Sequence, residues 1–129
     1  MLALSCIQVN IPADDRKLQG DLTIPGNAIG IVAFAHGSGS SRHSPRKRFV
    51  PHELQQAGLA TLFLDLLEVE EADDRNKVFD IGLLAQRLLA AVRWLGDNPL
   101  TRSFALGYFG ASTGAAAALL AAAHDPGRV

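Results

Sequence analysis

Residues 107–114 read G-Y-F-G-A-S-T-G, and this stretch leaves the chain few ways to fold. An apolar run, Phe104 to Phe109, leads into it, and an alanine-rich run, Ala115 to Ala123, leads out. A short continuous apolar run suits a buried parallel strand, and alanine is the best helix former. Between them the G-x-S-x-G core of Gly110, Ser112 and Gly114 leaves room only for a tight strand-to-helix turn. In that setting the motif is a nucleophile elbow, which lifts a serine hydroxyl out of the backbone. Gly110 and Gly114 must be small because the turn packs strand against helix. The backbone N–H of Thr113, next after the serine, is placed to donate to an oxyanion.

A strand–turn–helix unit of this kind needs a parallel sheet, and the rest of the chain supplies one. Residues 4–11 and 18–24 mix apolar and polar positions around the polar stretch A-D-D-R-K, which predicts an antiparallel hairpin. Pro25-Gly26-Asn27 breaks the chain. Ile29 to Ala35 is a buried-type strand that runs into the loop H-G-S-G-S-S-R-H-S. Ser44-Pro45 has the form of a helix N-cap and first residue. That helix reaches Ala57 and Gly58 ends it. Leu59–Leu64 is the next strand.

The acidic stretch Asp65–Asp74, with six carboxylates, is expected to be a solvated loop. Apolar residues at helical spacing, from Val78 through Leu84, Leu88 and Val92 to Leu95, predict an amphipathic helix over 78–96. After the elbow helix, His124-Asp125-Pro126-Gly127 is a stop, and Arg128-Val129 is expected to start a further strand. Hairpin, then strand–helix three times over, implies an α/β fold with helices on both faces of a doubly wound parallel sheet. Its ligand crevice belongs at the carboxyl ends of the strands.

Length and composition narrow the function. The chain has 129 residues, 48% hydrophobic and 19% charged, which suits one globular domain. A net charge of −1 gives no reason to expect a nucleic-acid or membrane-surface partner. A single cysteine, Cys6, excludes an intrachain disulfide and a cysteine-based zinc site, and points to a reducing, cytoplasmic setting. The opening M-L-A-L-S-C-I-Q has no signal-peptide pattern, and no apolar run is long enough to span a membrane. No cofactor motif is present.

Three loops fall at strand carboxyl ends: 36–44, 65–75 and 110–114. Ser112 is the expected nucleophile. His36-Gly37 opens a glycine-rich loop whose N–H groups can turn toward the crevice. The N–H of Ser38 is the expected second oxyanion donor, and His36 is read as ordering the loop rather than as the base. His124 lies at the far end of the helix that Ser112 begins, roughly 18 Å along its axis. It cannot act as base for that serine, and Asp125 shares its position. His43 and His52 precede the elbow. Arg42, Arg46, Lys47 and Arg48 are read as a solvated surface cluster. Glu68–Asp74 lacks the calcium-loop pattern, and Asp65 is read as structural.

At these residues a resemblance becomes specific. H-G-S-G-S-S-R-H-S-P-R, A-G-L-A-T-L-F-L-D-L-L, F-D-I-G-L-L-A-Q-R-L-L-A-A-V-R-W-L and G-Y-F-G-A-S-T-G-A-A-A-A-L resemble the N-terminal half of dienelactone-hydrolase-like α/β-hydrolases, over nearly the whole chain. The resemblance implies Ser112 as nucleophile, with the Ser38 and Thr113 N–H groups as oxyanion hole. Dienelactone hydrolases carry a cysteine at the nucleophile position, so the serine here implies a serine-type ester hydrolase rather than a dienelactone substrate. In this fold the order is nucleophile, acid, histidine. The acid and histidine are therefore expected in a C-terminal part absent from these 129 residues, with a small ester as substrate.

A non-catalytic α/β module is the alternative. A phosphate site at the elbow helix ranks last, because neither G-x-x-x-x-G-K-[ST] nor G-x-G-x-x-G occurs there. A 104–109 strand left at the sheet edge is expected to promote self-association.

Overall fold

The computed structural model describes residues 4–35, 49–127 and 129. Strands β1 (Leu4–Ala13) and β2 (Arg16–Pro25) form the hairpin, joined by Asp14 and Asp15 alone. Asp14 takes a φ of 54°, a left-handed conformation that short acidic side chains tolerate better than most. So tight a turn lets pairing continue to Ala13↔Arg16, and both strands run longer than alternation alone suggested.

Strands β3 (Gly30–Ala35), β4 (Ala60–Leu64) and β5 (Ala105–Gly110) are parallel. The sheet order is β1-β2-β4-β3-β5. β2 lies antiparallel on β4, from Gly20↔Leu64 to Thr23↔Thr61. The sheet is therefore mixed: the expected parallel portion is β4-β3-β5, and the hairpin extends it on one side.

Alternation along the strands divides the core. Ile31, Ala33 and Ala35 of β3, with Ala60, Leu62 and Leu64 of β4, bury one face against helices α4 (Ile81–Asp97) and α5 (Thr113–His124). Phe34 and Phe63 bury the other. Helix α1 (Phe49–Gln56) packs there, and Gln55 Nε2 donates to Thr61 Oγ1 at 2.9 Å. Helices on both faces follow, as the strand–helix alternation predicts.

Helix α4 begins at Ile81 rather than 78 because Asp80 caps it, accepting the Leu83 N–H at 3.0 Å. Its buried stripe of Leu84, Leu88, Ala91, Val92 and Leu95 faces the sheet. Leu88 and Leu95 are fully buried, each worth roughly 2 kcal/mol in transfer. Beyond its end, the buried Thr101 donates Oγ1 to the Leu95 carbonyl at 2.7 Å, satisfying a helix-end acceptor.

The acidic stretch is not a simple solvated loop. It folds into two short helices, α2 (Val69–Ala72) and α3 (Arg75–Val78), and Glu71 is buried. Val78 ends α3 instead of opening the long helix. Val129 lies in no strand, and Arg128 falls outside the described residues.

Candidate active site

Strand β5 delivers the chain to the sheet's carboxyl end at Gly110, and α5 leaves from Thr113. Ser112 bridges them with φ 58° and ψ −130°. Positive φ is uncommon for a residue with a Cβ, and strained backbone of this kind concentrates at functional sites. Ser112 occupies the N-cap position, yet its side chain makes no capping hydrogen bond. A serine there ordinarily accepts an N–H from the first helical turn. Here the backbone carbonyls close the turn: the Gly114 N–H reaches the Ala111 carbonyl at 2.9 Å and the Ala115 N–H the Ser112 carbonyl at 3.0 Å. The hydroxyl is spared for other partners, and Ser112 is exposed.

Gly110 shows why this turn admits no side chain. A Cβ there would stand 2.5 Å from the Gly114 carbonyl oxygen and 2.8 Å from the Ala115 Cα. Gly114 is itself buried in the first turn of α5. Thr113 is the first residue of the helix, where an N–H has no acceptor within the helix. Aligned peptide dipoles place partial positive charge at that end. The Thr113 Oγ1 is buried without a hydrogen-bond partner among the described residues.

Beneath the turn runs an aromatic row. Phe63, Phe34 and Phe109 occupy matching positions on β4, β3 and β5, each one residue before its strand ends. Phe34 meets Phe63 edge-on at 5.2 Å between ring centres and Phe109 at 5.1 Å. Such pairs add order 0.5–1.5 kcal/mol beyond area burial, and they tie the ends of the three strands together. Periodicity assigned these residues to strands; their common register needed the pairing.

His36, Gly37, Ser38, His43 and the Arg42–Arg48 cluster lie outside the described residues. β3 ends at Ala35, beside β5, in the pair Ala35↔Gly110. The carboxyl end of β3 therefore lies next to the elbow. His52 is exposed on α1, and His124 is the last residue of α5, as its spacing from Ser112 requires. Among the described residues, no three His, Cys, Asp or Glu side chains are grouped to hold a metal. No described helix is long and apolar enough to cross a membrane.

Sequence reasoning missed the charge cluster beside this end of the sheet. Arg87 of α4 donates from both terminal nitrogens to Glu71, at 2.8 Å each, and also to the Leu66 carbonyl at 3.1 Å. Lys77 Nζ lies 3.3 Å from Glu71, and Arg16 of β2 pairs with Glu68 at 2.9 Å. The Arg87 hydrogen bonds, with help from the Glu68 N–H and Lys77, hold the Glu71 carboxyl down at about 2 against the opposing effect of burial. The same contact pushes Arg87 up. An arginine on the stripe side of an amphipathic helix was the available signal.

No protein-family model matches the chain. It is 56% identical over 119 residues to a Mycobacterium tuberculosis protein whose name provisionally places it among phosphoribosyl transferases; the match covers 92% of this chain and 27% of that one. Among solved structures, a dienelactone hydrolase from Anabaena variabilis superposes with a TM-score of 0.92 at 55% identity, over 98% of this chain and 60% of its own. A Pyrococcus furiosus esterase superposes with a TM-score of 0.75 at 25% identity, over 98% of this chain and 49% of its own. The chain thus spans 27%, 60% and 49% of the lengths of these three proteins. The sheet order, the elbow and these likenesses agree: the chain has an α/β-hydrolase fold and resembles the N-terminal half of dienelactone-hydrolase-like members of that fold.

Proposed function

We propose that this chain carries the nucleophile half of a serine hydrolase acting on small ester-type substrates, in the cytoplasm. The observation that carries the reading is Ser112: exposed, held at positive φ, at the N-cap of α5, and not used as a cap. In the proposed reaction Ser112 Oγ attacks the ester carbonyl carbon while a base removes the hydroxyl proton. The carbonyl oxygen becomes an oxyanion between the N–H groups of Thr113 and Ser38, with Gly110 and Gly114 allowing the turn and His36 and Gly37 shaping the second donor's loop. The proton passes to the departing alcohol, and water then releases the acyl group by the same steps.

The acid and the base histidine are proposed to lie in a C-terminal part outside these 129 residues. Among the described histidines, His124 is a helix length from Ser112 and His52 sits on α1. An exposed serine with no base is a weak nucleophile, so a non-catalytic module remains the second reading for the 129 residues alone. Phosphoribosyl transfer, suggested by the name of the M. tuberculosis relative, is not carried over. This chain covers 27% of that protein, and the start of α5 lacks the phosphate-loop pattern.

A fluorophosphonate probe read by intact mass decides between the two. With the C-terminal part present, labelling at one equivalent per chain and its loss in Ser112→Ala support the hydrolase. No labelling of a folded protein that includes that part favours the module.

A further inference from the structure

The stretch after β4 is attached to the protein in an unusual way. Of residues 69–80, Glu71 is the only one buried, at 2% exposure. Two large apolar side chains of this stretch face outward, Val69 at 81% and Phe79 at 52% exposure, and Val78 is half-buried. Surface segments are ordinarily held by buried apolar anchors, and the one fully buried side chain of this segment is a carboxylate. Glu71 takes both terminal nitrogens of Arg87 and also accepts the Glu68 N–H at 3.0 Å and Lys77. Arg16 Nε stands 3.9 Å away. One side chain thus gathers groups from the hairpin, α2, α3 and α4.

A buried ion pair of this kind gains little net stability, because desolvation offsets most of the attraction. It holds a unique geometry instead, and breaking one half leaves a buried charge unpaired. The segment follows the carboxyl end of β4 at Leu64 after the short stretch 65–68, and that strand end is next to β3 and about 10 Å from β5 across two strand spacings. In a sheet of this type that end borders the ligand crevice.

We propose that Val69–Asp80 is a strap along one side of the crevice, latched by the Glu71 carboxylate, which opens locally while the sheet and α4 stay folded. The inference rests on the fold and the contacts, and stands whether or not Ser112 is catalytic. Regions with few buried apolar contacts open at low free energy, independently of the core.

Hydrogen exchange on the whole protein, read by mass spectrometry, tests it. Glu71→Ala strands Arg87 and can unfold the protein, so the decisive variant truncates both partners, Glu71→Ala with Arg87→Ala, and puts no apolar anchor in their place. That pair removes the latch and leaves no buried charge. The expected result is cooperative unfolding close to wild type, with exchange in 69–80 at least about ten-fold faster and exchange in β3, β4 and the middle of α4 unchanged. Unchanged exchange in 69–80 would overturn the proposal. So would protection lost evenly across the core, or a double variant that fails to fold, since each makes the pair part of the global core.

Discussion

Ser112 and Gly110 divide one task between them. The serine bears the strained backbone, and the glycine permits the close packing that imposes it. Gly110→Ala drives a Cβ to 2.5 Å from the Gly114 carbonyl oxygen. Neither atom sits on a flexible side chain, so the turn itself must move. The expected cost is about 2–3 kcal/mol of stability in urea unfolding. Gly107→Ala is the contrast, because its Cβ would meet only Val32 Cγ2, at 4.0 Å. A change within about 0.5 kcal/mol is expected there. Equal losses at the two positions would show that the elbow is not the tight point of β5.

Glu71 makes a prediction in pH. Its carboxyl titrates near 4.5 in the unfolded chain and near 2 in the folded one. A depressed carboxyl pKa contributes stability in full above the unfolded value. That contribution shrinks as pH falls from 4.5 toward 2, and its size is about 3 kcal/mol. The groups that face it are Arg16, Lys77 and Arg87, and Glu68 pairs with Arg16 at the rim. Urea midpoints measured from about pH 6 to about pH 3 are expected to fall. Glu71→Gln is expected to flatten a large share of that fall; a variant as acid-sensitive as wild type would place the effect elsewhere.

At the scale of elements, caps explain where periodicity misplaced a boundary. The apolar spacing runs through Val78 without a break, but Asp80 fixes the start of α4 by taking the Leu83 N–H. Asp80→Ala is expected to cost about 1 kcal/mol and to fray the first turn, visible as faster exchange at residues 81–84. Stability equal to wild type would mean that tertiary packing alone sets this boundary. The acidic stretch was misjudged for a related reason. Six carboxylates in ten residues read as solvated, and only a cation arriving from a distant helix makes burial of one of them tolerable. Arg87 lies 16 residues further along the chain, beyond the reach of local pattern.

At the scale of the whole molecule, β5 is an edge strand of the described sheet. Among the described residues β5 pairs with β3 alone, and Phe109 and Leu119 nearby are 42% and 75% exposed. Helix α5 is apolar nearly all round, a pattern suited to burial on more than one side. The 129 residues by themselves are therefore expected to associate through this edge. Sedimentation velocity should show mass rising with concentration, and Phe109→Lys should reduce it. A monomer at every concentration tested would refute the expectation. The sequence by itself determined the α/β class, the hairpin, the helices α1, α4 and α5 and the elbow with Ser112, because each depends on neighbouring residues: periodicity, propensity and turn chemistry act over one or two turns of chain. Tertiary structure alone decided the order β1-β2-β4-β3-β5, the antiparallel seam between β2 and β4, the aromatic row and the buried Glu71–Arg87 pair. Those depend on which surfaces meet, and burial energies between distant segments leave no local trace in the residues that will share them.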